Sequence, residues 1–111
     1  MSNEKTIFSR LMAVIEDRKV RRPPKSYTTK LFDGGVDEIG TKLCEEAGEL
    51  VEAARTADEA PDAVIHEAAD LVYHLLVMLA FCNVSLADVE AELSRRFGTS
   101  GLAEKASRED P

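Results

Sequence analysis

The segment from Leu71 to Phe81 limits the possible folds more than any other part of this sequence. Apart from Tyr73 and His74 it is wholly apolar. Wound as a helix it is apolar nearly all round, and such a helix must be buried on several sides. The helical pattern extends over residues 63–83. We therefore expect this helix at the centre of a bundle or in an interface between subunits.

The rest of the chain is also helical in pattern, and no stretch carries a strand signal of weight. Apolar residues recur at helical spacing in three further segments, which run from about Lys5 to Lys19, from about Val36 to Thr56, and from Ser85 to Gly98. We predict an all-α chain of four to five helices. Its 111 residues suit one domain, at 1–98, followed by a polar tail at 99–111.

The connection between the first two predicted helices is basic and rich in helix breakers. Pro23-Pro24 opens it and Gly34-Gly35 closes it. Such residues favour a loop, with at most a short helical turn from Thr28 to Phe32. The segment from Arg18 to Lys30 holds six bases and no acid. Its hydroxyl groups beside these bases suit the binding of phosphate oxygens, although a solvated linker has the same composition.

Two acidic pairs, Glu46-x-x-Glu49 and Glu67-x-x-Asp70, are the clearest chemical signal. At three-residue spacing the members of each pair point to one side of a helix, so two packed helices could bring four carboxylates together. Crowded carboxylates repel one another or protonate, whereas Mg²⁺ or Mn²⁺ accepts such oxygen ligands. The alternative is a solvated acidic surface, the usual fate of glutamate on an amphipathic helix.

Net charge narrows the class of ligand. The chain carries −7 overall, with a pI near 4.8, and this acidity opposes a large footprint on a nucleic acid polymer. The absence of Trp and the low aromatic content also argue against a stacking surface for single strands. A small, highly charged phosphate ester fits the basic segment and the acidic pairs better.

Three other features of the sequence bear on the site and the compartment. His74 and Tyr73 follow Asp70 closely on one helix, and each reads either as a core residue or as a group offered to the site. No signal peptide is visible and no stretch is expected to span a membrane. We therefore expect a cytoplasmic protein, with Cys44 and Cys82 as reduced core thiols.

Longer motifs around the acidic pairs resemble one protein family. They are Ser26-Tyr27-Thr28 with Leu31-Phe32, then Ile39-Gly40-x-Lys42-Leu43-x-Glu45-Glu46-x-x-Glu49, and Glu67-Ala68-Ala69-Asp70-Leu71-Val72-Tyr73-His74-Leu75-Leu76. This pattern is similar to that of the phosphoribosyl-ATP pyrophosphatases, which belong to the all-α nucleoside-triphosphate pyrophosphohydrolases. The resemblance runs from about Leu11 to Gly101.

The resemblance implies an enzyme of the second step of histidine biosynthesis. It would hydrolyse phosphoribosyl-ATP to phosphoribosyl-AMP and pyrophosphate with Mg²⁺, or Mn²⁺ in its place, as an intertwined helical-bundle homodimer. The metal positions are Glu46, Glu49, Glu67 and Asp70, and the catalytic positions are Glu45, Glu46 and Glu49. The residues expected to bind the substrate, from their place in the motifs or from their charge, are Arg22, Lys25, Ser26, Tyr27, Thr28, Lys30, Lys42, Tyr73 and His74.

Two other functions are compatible with the same sequence. A house-cleaning pyrophosphatase acting on other nucleoside triphosphates would share the acids without needing to recognise a phosphoribosyl group. A helical dimer serving only as an interaction module would leave the acids solvated. Neither alternative predicts the Ser-Tyr-Thr segment together with the Ala-Asp-x-x-Tyr-His run.

Overall fold

A computed structural model describes residues 6–97 and folds them into four helices. The helices are α1 (Ile7–Arg21), α2 (Tyr27–Ala54), α3 (Pro61–Phe81) and α4 (Leu86–Arg96). No strand occurs among these residues, and the predicted all-α class is confirmed. The predicted polar tail and the predicted stop at Gly98 lie outside the described residues.

Side-chain caps explain where three of the helices begin. The hydroxyl oxygens of Thr6, Ser26 and Ser85 accept hydrogen bonds from the backbone N–H groups three residues ahead. The end of α1 is set by its backbone: Arg22 takes a left-handed conformation with φ 47°, and its N–H donates to the Arg18 carbonyl. Pro23 follows and cannot continue the helix.

The loop predicted for the basic segment is confirmed only at residues 22–26, since residues 27–34, where at most one helical turn was expected, form the first part of α2. Ser26 starts the helix, and Leu31 and Phe32 anchor it in the core at 0% and 2% exposure. Gly34-Gly35 produces a kink instead of a break: Gly35 has φ 75° and ψ −162°, outside helical geometry. We call residues 27–34, before this kink, the N-terminal arm of α2.

α3 packs mainly against α2 and more lightly against α1. The buried apolar residues form one cluster, namely Met12, Ile15, Leu31, Phe32, Ile39, Leu76, Val77 and Ala80. The buried part of α3 begins at His74, while Ile65 near its start is 67% exposed. The predicted core position of α3 therefore holds for its second half, and Leu75 in that half is still exposed in the single chain.

The expectation that both cysteines lie in the core is wrong. Cys44 and Cys82 are free thiols, but both are exposed and neither lies in the core. Among residues 6–97, α3 alone is long and apolar enough to cross a membrane, a test of length and composition that core helices of soluble proteins also pass, so the expectation of no membrane span is not contradicted. Its packing against α2 and α1 is that of a core helix.

Lys19 ties α1 to the end of α3. Its ammonium donates hydrogen bonds to the Ala80 carbonyl at 2.7 Å and to the Asn83 side-chain oxygen at 2.6 Å. A third contact, to the Phe81 carbonyl, measures 3.4 Å. The last carbonyls of a helix lack partners within it, and a cation there also suits the helix dipole. We call these contacts of Lys19 with Ala80, Phe81 and Asn83 the Lys19 clamp; they hold α1 against the C-terminal end of α3.

Replacing Lys19 by Met is expected to lower the free energy of unfolding by about 2 kcal/mol, because hydrogen bonds to a charged group are lost while the apolar stem remains. Urea unfolding measures the change. Arg18→Met makes the same change of charge one residue away and is expected to cost less than about 0.5 kcal/mol. Equal losses in the two variants would contradict the clamp.

Candidate active site

Three carboxylates converge where α2 lies beside α3. One oxygen atom each from Glu46, Glu49 and Glu67 lie within 4.8 Å of one another. The first two share a side of α2 because they are three residues apart, and the packing of α3 brings the third to them. We call these three residues the carboxylate cluster.

The carboxylate cluster is electrostatically unsatisfied. Glu46 Oε1 and Glu67 Oε1 are buried and have no hydrogen-bond partner within residues 6–97. Burial raises the pKa of the Glu46 carboxyl, and the negative charges of Glu49 and Asp70 raise this pKa further. Burial also raises the pKa of Glu67, with Glu49 as the next cause. His74 lowers the pKa of Glu46 and His66 lowers that of Glu67, but burial and the neighbouring acids outweigh both effects.

The dimensions of the cluster suit a small divalent cation. Oxygen ligands about 2.1 Å from Mg²⁺ stand about 3.0 Å apart as neighbours and about 4.2 Å apart when opposite. The three carboxylate oxygens lie within 4.8 Å of one another, so only a small movement of the side chains would bring them to these distances. Carboxylate oxygens without other partners are the donors that a hard cation prefers.

Asp70, the fourth predicted metal position, lies beside the carboxylate cluster: one of its oxygens is within 4.8 Å of an oxygen of Glu67. Its Oδ2 atom contacts His66 Nε2 at 3.3 Å, one helical turn earlier. His66, Glu67 and Asp70 form a second group whose potential ligand atoms also lie within 4.8 Å of one another. Sequence reasoning passed over His66, although its i, i+4 spacing from Asp70 is the signal that predicts this pair.

Glu45 and Lys42 lie outside the carboxylate cluster and contact each other. Lys42 Nζ is 3.4 Å from Glu45 Oε1, and this hydrogen bond is the main cause that raises the pKa of Lys42. The Glu45 side chain is exposed. The structure therefore separates this predicted catalytic residue from Glu46 and Glu49, which it brings together with Glu67.

Four of the predicted substrate-binding residues form a connected group on α2 and α3, which we call the aromatic network: Tyr27, Thr28, Tyr73 and His74. The Tyr27 hydroxyl lies 2.9 Å from His74 Nε2, and the hydroxyls of Thr28 and Tyr73 are hydrogen-bonded to each other. His74 Nδ1 lies 2.8 Å from the Asp70 carbonyl oxygen. The network thus joins the N-terminal arm of α2 to the part of α3 that bears Asp70.

The aromatic network lies beside the carboxylate cluster. Burial raises the pKa of the Tyr27 phenol, and the charge of Glu46 raises it further, while the positive charge of Lys42 lowers it. The ring centroids of Tyr27 and Tyr73 are 6.3 Å apart with nearly parallel planes. Tyr27 is 45% exposed, so part of its ring is open to a ligand.

The other predicted binding residues differ in their availability. Arg22 pairs with Asp33 at 2.8 Å and lies over the Phe32 ring. The Ser26 hydroxyl is engaged as the cap of α2. Lys25 and Lys30 are exposed and form no ion pair within the described range, so both charges are available to an anion.

Comparison with known proteins gives consistent matches over nearly the whole chain. The sequence model of the family described as phosphoribosyl-ATP pyrophosphohydrolase matches residues 8–97. A relative from Rhodopirellula baltica is 54% identical over 102 residues, covering 91% of this chain and 85% of the relative. One from Rhodobacter capsulatus is 52% identical over 103 residues, with coverage of 93% and 98%. A third, from Geobacter sulfurreducens, is 44% identical over 110 residues, with coverage of 99% and 100%. All three are named phosphoribosyl-ATP pyrophosphatase.

Proposed function

The chain belongs to the phosphoribosyl-ATP pyrophosphohydrolase family, and on that premise we propose that it hydrolyses phosphoribosyl-ATP to phosphoribosyl-AMP and pyrophosphate, the second step of histidine biosynthesis. Membership confirms the family resemblance drawn from the motifs. Relatives that share this name over nearly their whole length favour this substrate over other nucleoside triphosphates. The observation that carries the proposal is the carboxylate cluster, which lies inside the matched region.

The carboxylate cluster would hold the divalent cation, Mg²⁺ or in its place Mn²⁺. Two buried oxygens without partners, on Glu46 and Glu67, support this assignment, and Glu49 supplies the third ligand position. Asp70 is the fourth position if it releases His66. When bound, the cation neutralises phosphate charge and polarises the phosphoanhydride. The protein's own contribution is to hold these acids in place before the substrate arrives.

Other residues of the chain would bind the substrate and move the proton. The free cations of Lys25 and Lys30 attract phosphate oxygens, and the exposed Tyr27 ring offers a surface to the base or the ribose. Water is the nucleophile, and the bond between the α and β phosphates breaks. The Glu49 oxygen that is not bound to the cation, or the Glu45 carboxylate, accepts a proton from this water.

A substrate panel tests the proposal. Purified protein with Mg²⁺ is expected to release pyrophosphate from phosphoribosyl-ATP and to turn over dCTP, dUTP and ATP far more slowly. A chelator should abolish turnover. Release of orthophosphate alone would exclude cleavage between the α and β phosphates, and equal turnover of the panel would favour the house-cleaning alternative.

We also propose that the active form is a cytoplasmic homodimer. An apolar groove is lined by residues of α1 and the first half of α3, namely Ile7, Phe8, Leu11, Ala68, Ala69 and Val72. Exposed apolar side chains continue beyond it at Ile65 and Leu75. An apolar surface of this kind favours cover by a second copy. Ala69→Arg is expected to give monomers by light scattering, while exposed Thr56→Arg leaves the mass unchanged; a dimeric Ala69→Arg protein would exclude this face.

A further inference from the structure

We propose that His74 is a positioning residue: without touching the substrate, it holds the Tyr27 phenol against α3 and so fixes the N-terminal arm of α2 beside the carboxylate cluster. This inference rests on the proposed hydrolysis of phosphoribosyl-ATP and deepens it. It departs from the sequence prediction that placed His74 among the substrate contacts. Three observations carry it, namely the burial of the ring, its two hydrogen bonds and the kink at Gly35.

Both nitrogens of His74 are engaged inside the protein. The ring is 5% exposed. Because a carbonyl oxygen can only accept, the contact between Nδ1 and the Asp70 carbonyl places the proton of a neutral ring on Nδ1. Nε2 then carries the lone pair and accepts a hydrogen bond from the Tyr27 hydroxyl. No nitrogen of His74 remains for a substrate.

The N-terminal arm of α2 needs side-chain contacts to set its direction. At Gly35 the backbone leaves helical geometry, so the helix that bears the carboxylate cluster does not dictate where the arm points. Two consecutive arm residues, Tyr27 and Thr28, bond to two consecutive residues of α3, His74 and Tyr73. Leu31 and Phe32 anchor the end of the arm in the core. The Thr28 bond holds the start of the arm near α3, and the His74 bond also fixes the Tyr27 ring.

The ring contacts show how Tyr27 is oriented. His74 meets Tyr27 edge-on, with centroids 5.9 Å apart and planes at 84°, and it meets Tyr73 in the same way at 5.1 Å. His74 is therefore the buried member of a group of three rings whose most exposed member is Tyr27. Loss of the Tyr27–His74 bond would free a half-exposed ring to rotate, and its contact with substrate would then cost more conformational entropy.

Three substitutions at His74 separate positioning from packing. His74→Gln keeps a polar group near Nε2, His74→Asn keeps one near Nδ1, and His74→Leu keeps neither. The Leu and Asn variants are expected to raise KM for phosphoribosyl-ATP about tenfold with kcat within about threefold of wild type. This pattern indicates the loss of an interaction that is equally strong in the ground state and the transition state. The Gln variant should stay close to wild type in both constants.

Tyr27→Phe removes the same hydrogen bond by changing its more exposed partner, and does not disturb the core. It is expected to raise KM as much as His74→Leu does, and the double variant should add nothing further. Independent, additive effects would overturn the inference. So would equal KM values in the Gln and Leu variants, or a large fall in kcat at unchanged KM.

A spectroscopic measurement tests the bond without substrate. Tyr27 and Tyr73 are the only tyrosines and the chain has no Trp, so the near-ultraviolet tyrosine bands report on this network. His74→Leu is expected to weaken the tyrosine circular dichroism, and His74→Gln to retain it. An unchanged spectrum in the Leu variant would overturn the inference. Absence of turnover in wild-type protein that shows the expected spectra would instead count against the proposed function.

Discussion

Replacing Glu46 by Gln is expected to lower the turnover of phosphoribosyl-ATP by at least about 100-fold and to make the metal-free protein more stable. Removal of a ligand should cost no less than the loss of the groups that merely orient ligands, which is typically 10- to 100-fold. The gain in stability follows from the raised pKa of Glu46, since burial and neighbouring acids disfavour its ionised form in the folded protein. The neutral amide removes that repulsion and keeps the shape of the side chain.

The sign of the pH dependence follows from the same shift. The folded protein holds the Glu46 proton more tightly than the unfolded chain, so wild-type stability falls as pH rises from the ordinary carboxyl pKa through the raised pKa. Above that range the loss is complete. Thermal unfolding of the metal-free proteins at low and neutral pH is expected to show a smaller fall for Glu46→Gln than for wild type.

Mg²⁺ provides a readout that does not depend on turnover. A ligand that binds only the folded state stabilises it by about 2.7 kcal/mol at a hundredfold excess over its dissociation constant. Wild type should gain such stability at neutral pH, and Glu46→Gln should lose most of the gain. Glu52→Gln, an exposed change on the same helix, should behave as wild type. Equal responses of all three proteins to Mg²⁺ would contradict a metal site at the carboxylate cluster.

Gly35→Ala is expected to destabilise the protein by about 1–3 kcal/mol and to reduce activity together with stability. With φ 75° and ψ −162°, Gly35 occupies a region of backbone space that is essentially closed to other residues. The cost is conformational, because an added Cβ would meet its nearest neighbour, Phe81, at an ordinary 3.8 Å. Relief of the strain would turn the N-terminal arm of α2 and separate Tyr27 from His74.

Gly48→Ala is the matched control for Gly35→Ala, since both glycines lie in α2. An added Cβ at Gly48 would meet nothing within 4 Å, and its backbone is helical. Alanine there is expected to raise the free energy of unfolding by about 0.5–1 kcal/mol. Chemical unfolding and the turnover assay measure both variants. Similar losses at the two positions would contradict a specific requirement for the kink.

Local spacing predicted the parts of the site that lie within one helix. The three-residue spacing of Glu46 and Glu49 placed them on one side, and the apolar pattern placed α3 where Glu67 could meet them. The start of α4 was readable from Ser85, whose hydroxyl caps the helix. Helical periodicity fixes such features without knowledge of tertiary contacts.

Features that depend on distant contacts were not predictable. The N-terminal arm of α2 looked like a loop because its polar residues and two glycines suit one, yet burial of Leu31 and Phe32 favours a helix. The Lys19 clamp joins groups separated by 61 residues or more, and no spacing rule encodes it. The i, i+4 spacing allows Asp70 to meet His66, but the rotamer that favours this contact over one with the carboxylate cluster is not specified by the spacing.

The division of α3 into a buried half and an exposed half has a consequence for local unfolding. The Lys19 clamp and the core residues hold the end of the helix, whereas its start has no side-chain cap and exposes Ile65 and His66. Amide hydrogens should therefore exchange with solvent sooner near the start of α3 than near Val77. The acids lie toward this less stable end, so ligand binding there would reduce the conformational freedom of the backbone and slow its exchange.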